Sequence, residues 1–238
     1  GEHNAINNLK LPSFLNLISS NREYSRIFWK NIILNADLSD ITTNASYKYG
    51  VGYGHNSYGC SVKNYFPWFI RNQKCIPTTT KEILKSKNVF LNNTEIKQIA
   101  GSYLPVFDYD EPLPDDWKDL LQLKDKLELA DYLSILSKIV KHSDEVEEKD
   151  SIFKPPLKRI GLIYNKLASM IPDMTVANKQ VVSDWAVQNK LLCVNGNFEQ
   201  AIHLKWITIE GFSTESDKLK IIRLPKNTNT HLETFKEL

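Results

Sequence analysis

Six carboxylates crowd into one short stretch, Asp108, Asp110, Glu111, Asp115, Asp116 and Asp119. Hard divalent cations take several such oxygens, so the loop 108–119 is the first place to look for a metal. Its spacing lacks the EF-hand pattern and Pro112 and Pro114 interrupt it, so helix capping plus a solvated loop accounts for the cluster. Pro114-Asp115 with Glu147-x-Lys149 has the residue types of a metal-dependent nuclease, whose Asp, Glu and Lys converge on one cation from sheet strands. Glu147 and Lys149, however, stand in an acidic tract without a strand pattern. His231-x-Glu233 lacks the Pro-Cys-x-x-Cys half of a zinc deaminase. His55, Cys60 and Cys75 lack zinc-finger spacing. Gly50, Gly52 and Gly54 invite a phosphate-loop reading, but tyrosines interleave them and no Gly-Lys-Ser/Thr follows, so a twisted hairpin is expected. No Gly-x-Ser-x-Gly elbow occurs, and sequence distance alone neither supports nor excludes a Cys–His nucleophile pair. Lys154, Lys158, Arg159 and Lys166 can give one helix a basic side, which is ordinarily the wet side of an amphipathic helix. No catalytic, cofactor-binding or metal-ligating residue is assigned, and no cofactor is expected.

Bulk properties narrow the classes further. The 238 residues are 42% hydrophobic and 24% charged, the balance of a folded, water-soluble protein. A chain this long can bury a core without disulfides or metal. Thirty basic against 28 acidic side chains leave +2, too little for a nucleic-acid or membrane partner to follow from bulk charge. Cys60, Cys75 and Cys193 are odd in number and widely separated, the usage of a reducing cytoplasm. No apolar run approaches a membrane span, and Gly1-Glu2-His3-Asn4 lacks the parts of a secretory signal. Asn44-Ala45-Ser46 and Asn92-Asn93-Thr94 match the glycosylation sequon, as chance provides in an Asn-rich chain. The missing initiator Met, with Leu232, Phe235 and Leu238 at helical spacing, leads to the expectation of a segment cut from a longer protein.

The elements follow from periodicity. Asn21 is expected to cap a helix whose apolar stripe is Tyr24, Ile27, Phe28, Ile32 and Ile33, with Trp29 beside it. Tyr47, Tyr49, Val51 and Tyr53 alternate as a strand, turned by His55-Asn56-Ser57 into a hairpin. Tyr65 to Ile70 suits a helix or a sheet edge, Cys75 to Thr79 and Val89 to Leu91 short strands, and Thr94 a helix cap ending at Gly101. Asp115 or Asp116 is expected to cap a helix carrying Trp117, Leu120 and Leu121. Leu129, Tyr132, Leu133, Leu136, Ile139 and Val140 mark a long helix, Ser143 to Ser151 a solvated connection, and Pro155-Pro156 the start of a helix with Ile160, Ile163, Tyr164, Leu167, Met170 and Ile171. Val181, Val182 and Trp185 give another helix. Leu191 to Phe198 around Asn195-Gly196 gives a hairpin, and Ile207, Ile209, Leu219 and Ile221 give further strands. Strand-rich and helix-rich blocks without a βαβ rhythm predict an α+β fold, amphipathic helices packed with small antiparallel sheets and hairpins. The expected organisation is a mixed α+β subdomain at 1–142, an acidic linker at 143–151 and a helical and β-hairpin subdomain at 152–238.

Several pieces in order carry a family resemblance. They are Phe28-Trp29, Tyr65-Phe66-Pro67-Trp68-Phe69-Ile70 leading into Ile76-Pro77-Thr78-Thr79, Val89-Phe90-Leu91 before Leu104-Pro105, Leu121-Gln122-Leu123-Lys124 ahead of Leu129-x-x-Tyr132-Leu133-x-x-Leu136, Ile163-Tyr164, and Trp185 before Leu191-Leu192 with Asn195-Gly196. From about residue 22 to 238 this order resembles the region following the histidine-kinase-like ATPase domain in large, chaperone-like sacsin-like proteins of bacterial type. Such proteins often place Gly soon after the Pro-Thr turn, where Thr80-Lys81-Glu82 stands here. The Asn-bearing helix and Asp-x-Gly-x-Gly loop that hold ATP and magnesium in that ATPase family are not found, and Gly50-x-Gly52-x-Gly54 has no preceding Asp. The resemblance implies a non-catalytic structural and interaction segment, coupled to a cytoplasmic ATPase domain elsewhere in a parent chain. Its expected partners are neighbouring domains or other proteins, with no membrane and with nucleic acid as a minor expectation. The alternatives from other classes are a divergent metal-dependent nuclease using the Asp108 to Asp116 loop and a nucleic-acid-binding module.

Overall fold

The structure, a computed structural model, describes residues 12–42, 45–50, 57–62, 65–147, 154–192 and 197–200. The chain divides into two compact units, 1–97 with 104–126, and 98–103 with 127–238. The described part of the expected linker, 143–147, therefore lies inside the second unit. Among the described residues the fold is α+β, nine α-helices with three two-stranded antiparallel sheets.

The first unit begins with α1 (Pro12–Ser20) and α2 (Arg22–Asn35). Asn21 caps α2 as expected, its side chain accepting from the Tyr24 amide. The buried face differs from the expected stripe: Tyr24 and Ile27 are half exposed, whereas Ser25, Trp29, Ile32 and Ile33 are buried. The expected stripe left Trp29 at its margin. Ser25, though polar, is inside because its hydroxyl is bonded there, and Trp29 becomes the centre of the face. The helix α3 (Leu38–Thr42) follows, then the hairpin of β1 (Ala45–Gly50) and β2 (Ser57–Val62), registered Tyr47↔Cys60. Its connection, with Gly52, Gly54 and His55, lies outside the described residues.

Next, α4 (Tyr65–Asn72) takes Pro67 in its first turn, where a missing amide hydrogen costs nothing. Then β3 (Ile76–Pro77) pairs with β4 (Ile83–Leu84). Their connection puts Lys81 at φ 67, a left-handed conformation that glycine adopts most easily. Three isolated bridges, Thr78↔Phe107, Phe90↔Val106 and Phe90↔Lys124, extend this small sheet sideways. The helix α5 (Thr94–Ala100) is capped one residue earlier than expected, by Asn93 Oδ1 accepting from the Ile96 amide, and Gly101 ends it at φ 54. The helix α6 (Asp115–Leu121) starts after Pro114 without a side-chain cap, so neither Asp115 nor Asp116 plays that part. Both stand in the first turn, where carboxylates favour the helix dipole. Around Trp29 gather Phe28, Phe66, Phe107 and Trp117, ring centroids 5.2–6.5 Å away. The edge-on packing of Phe28, Phe107 and Trp117 on Trp29 adds to simple burial.

In the second unit, α7 (Leu129–Glu147) buries Tyr132, Leu133, Leu136, Ile139 and Val140 as predicted, and Ile135 as well. It does not stop at Ser143, which is 1% exposed; the polar connection expected from that residue is helix as far as Glu147. The helix α8 (Leu157–Met170) opens after Pro155-Pro156, buries Ile160, Ile163, Tyr164, Leu167 and Ala168, and tightens into a 3-10 turn at Ile171–Asp173. The helix α9 (Val176–Gln188), capped by the Thr175 hydroxyl, leads to β5 (Lys190–Leu192), paired antiparallel with β6 (Phe198–Gln200). The register Leu192↔Phe198 is one residue away from the Leu192↔Glu199 pairing that a two-residue Asn195-Gly196 turn would impose. That turn, the strands expected at 207–221 and the helical spacing of Leu232, Phe235 and Leu238 lie outside the described residues.

Candidate functional site

The acidic loop is entered through Asp108, and the fold decides where that carboxylate goes. The Asp108 amide donates to the Pro77 carbonyl at 3.0 Å, fixing the residue on the edge of β3 opposite the first turns of α2. Arg22 and Arg26 are four apart, on the same side of that helix as Ser25 and Trp29. Both reach Asp108 Oδ2: Arg22 donates a hydrogen bond through Nη2, whereas Arg26 Nε, 2.9 Å away, makes an ion pair without hydrogen-bond alignment. Arg22 Nε also donates to the Thr78 carbonyl at 3.3 Å, and Arg26 Nη1 lies 3.4 Å from Glu23. Two guanidinium groups thus surround the one loop carboxylate that is substantially buried. A cation competing for Asp108 would have to displace both and then sit beside their positive charge.

The remaining carboxylates of the loop are exposed. Asp115 accepts from Lys118 Nζ at 2.7 Å, and this hydrogen bond, followed by the lysine's charge, holds its carboxyl below the usual range. Glu111 stands near enough to Tyr109 to act on it: burial first, then the Glu111 charge, raises the Tyr109 hydroxyl above its ordinary value. Among the described residues no group of three or more His, Cys, Asp or Glu side chains gathers where a metal ion would fit.

The other candidates fare as follows. Cys75 is fully buried, and burial alone pushes its thiol up to about 12, so at neutral pH it is no nucleophile. Its carbonyl oxygen is the functional part, accepting from Ser25 Oγ at 2.7 Å and Trp29 Nε1 at 2.6 Å. Asn92 of the second sequon donates its amide to the Tyr109 carbonyl at 2.7 Å. Of the basic set, Arg159 donates through Nε to the Gln98 carbonyl at 3.2 Å and lies over the Tyr103 ring at 5.4 Å, while Lys158 stays exposed. Glu147 ends α7, and Lys149, His55, His231 and Glu233 lie outside the described residues.

Sequence reasoning missed Arg22, Arg26 and Ser25. Their only signal was a set of polar residues at helical spacing around Trp29, and their partners stand 50 to 86 residues away along the chain. Comparison with protein-family models, with curated proteins and with solved structures finds no match for this chain. Among the described residues no helix is long and apolar enough to cross a membrane.

Proposed function

We propose that the chain is a non-catalytic structural and interaction segment of a large cytoplasmic, sacsin-like ATPase, coupled to an ATPase domain elsewhere in its parent chain. The observation that supports the non-catalytic part of this reading is the engagement of Asp108 by Arg22 and Arg26; the parent family rests on the sequence resemblance alone. The one carboxylate of the acidic loop placed to do buried chemistry is used to fasten α2 to β3. Cys75 supports the same reading, since its backbone ties helix to sheet while its thiol is shut away. Coupling of this kind requires contacts that differ between two states of the neighbouring domain. Isothermal titration of the chain with magnesium-ATP tests the proposal. No heat of binding is expected up to millimolar nucleotide, and micromolar affinity would contradict it.

A further inference from the structure

The helix α9 is held to its unit differently from α7 and α8. Five side chains of α8 are buried, whereas α9 buries only Val182 and leaves Val176, Val181 and Val187 at 86%, 50% and 61% exposure. Among the described residues, polar bonds tie it to α7. Trp185 Nε1 donates to Ser137 Oγ of α7 at 2.7 Å. The Ser137 hydroxyl has a single proton to share between the Leu133 carbonyl at 3.0 Å and Asn189 Oδ1 at 3.2 Å. Asn189 Nδ2 donates back to the Trp185 carbonyl at 2.9 Å. Just beyond the helix, Lys190 Nζ meets Asp144 Oδ1 at 2.6 Å, both side chains more than a third exposed.

Partly exposed hydrogen bonds and ion pairs hold weakly compared with several buried apolar side chains, and the ion pair is further weakened by salt. We propose that α9 is a latch: it releases from α7 by local opening while α7 and α8 stay folded, breaking the Trp185–Ser137 and Lys190–Asp144 contacts and exposing Trp185 and Val182. The latch stands on these bonds whatever the parent chain does, and it is the kind of two-state element that the proposed coupling needs.

Hydrogen–deuterium exchange of the whole chain, without nucleotide, tests this. Peptides within 176–188 should exchange at least about tenfold faster than peptides within 160–168, after correction for intrinsic rates. Ser137→Ala, which keeps a good helix former in α7, should speed α9 exchange a further ~fivefold or more and leave 160–168 unchanged. Raising the salt from low to about 0.5 M should act in the same direction through Lys190–Asp144, and needs no substitution. Equal exchange of α9 and α8 would overturn the latch. So would α9 exchange that responds to neither Ser137→Ala nor salt, or a substitution that accelerates both helices alike.

Discussion

The Trp29 indole donates to the carbonyl oxygen of Cys75 at 2.6 Å, and the same oxygen accepts from Ser25 Oγ at 2.7 Å. Both lone pairs of one carbonyl are therefore satisfied by one face of α2. Trp29→Phe should cost about 2–3 kcal/mol, from a lost bond and a partly emptied site, and Ser25→Ala about 1 kcal/mol. Because the two donors share an acceptor, the double substitution should depart from the sum of the single ones in urea unfolding.

The Cys75 thiol, raised from 9.0 to about 12 by burial, makes a pH prediction with a definite sign. Between those values the folded protein holds a proton that the unfolded chain has lost. The thiol's contribution is thus complete below about pH 9 and falls as pH rises toward 12. Iodoacetamide at pH 8 should leave the Cys75 peptide unmodified in the folded protein and label it once denaturant is added, as followed by peptide mass spectrometry.

Among the described residues two sit in left-handed conformations without being glycine, Lys81 at φ 67 in the β3–β4 connection and Gln122 at φ 51 after α6. Lys81→Gly and Gln122→Gly should each stabilise by about 0.5–1 kcal/mol by removing that strain. Lys81→Ala, which keeps the strain, should be nearly neutral in the same denaturation assay.

Gly101 presents the opposite case. Its φ is 54, and a Cβ there would run into Arg159 Nη2, whose guanidinium is held by Gln98 and Tyr103. Gly101→Ala should cost about 1–2 kcal/mol in thermal unfolding. In an Arg159→Ala background the cost should shrink to the backbone part, roughly 1 kcal/mol.

Local patterning made most of the elements legible. The stripes of α7 and α8, the Asn21 cap and the Gly101 stop all depend on residues within a turn or two of each other. What could not be read depended on distant partners. Ser25 turns inward because Cys75 offers an oxygen, and Ser143 extends α7 because it is buried. Asp108 leaves the acidic loop's apparent metal set because two arginines of α2 face it. The β5–β6 register differs from the Asn195-Gly196 expectation by one residue, which pairing and not turn propensity sets.

Asp108 tests the account most directly, through urea unfolding of the chain and of Asp108→Asn, each with and without magnesium or manganese. If the carboxylate fastens α2 to β3, the substitution should lower stability by about 1–2 kcal/mol, because it leaves two arginines facing each other. The metal should then leave both unfolding midpoints unchanged. A substitution that stabilises the metal-free protein, together with a midpoint of the unsubstituted chain that rises with metal, would mark Asp108 as a ligand and contradict the account.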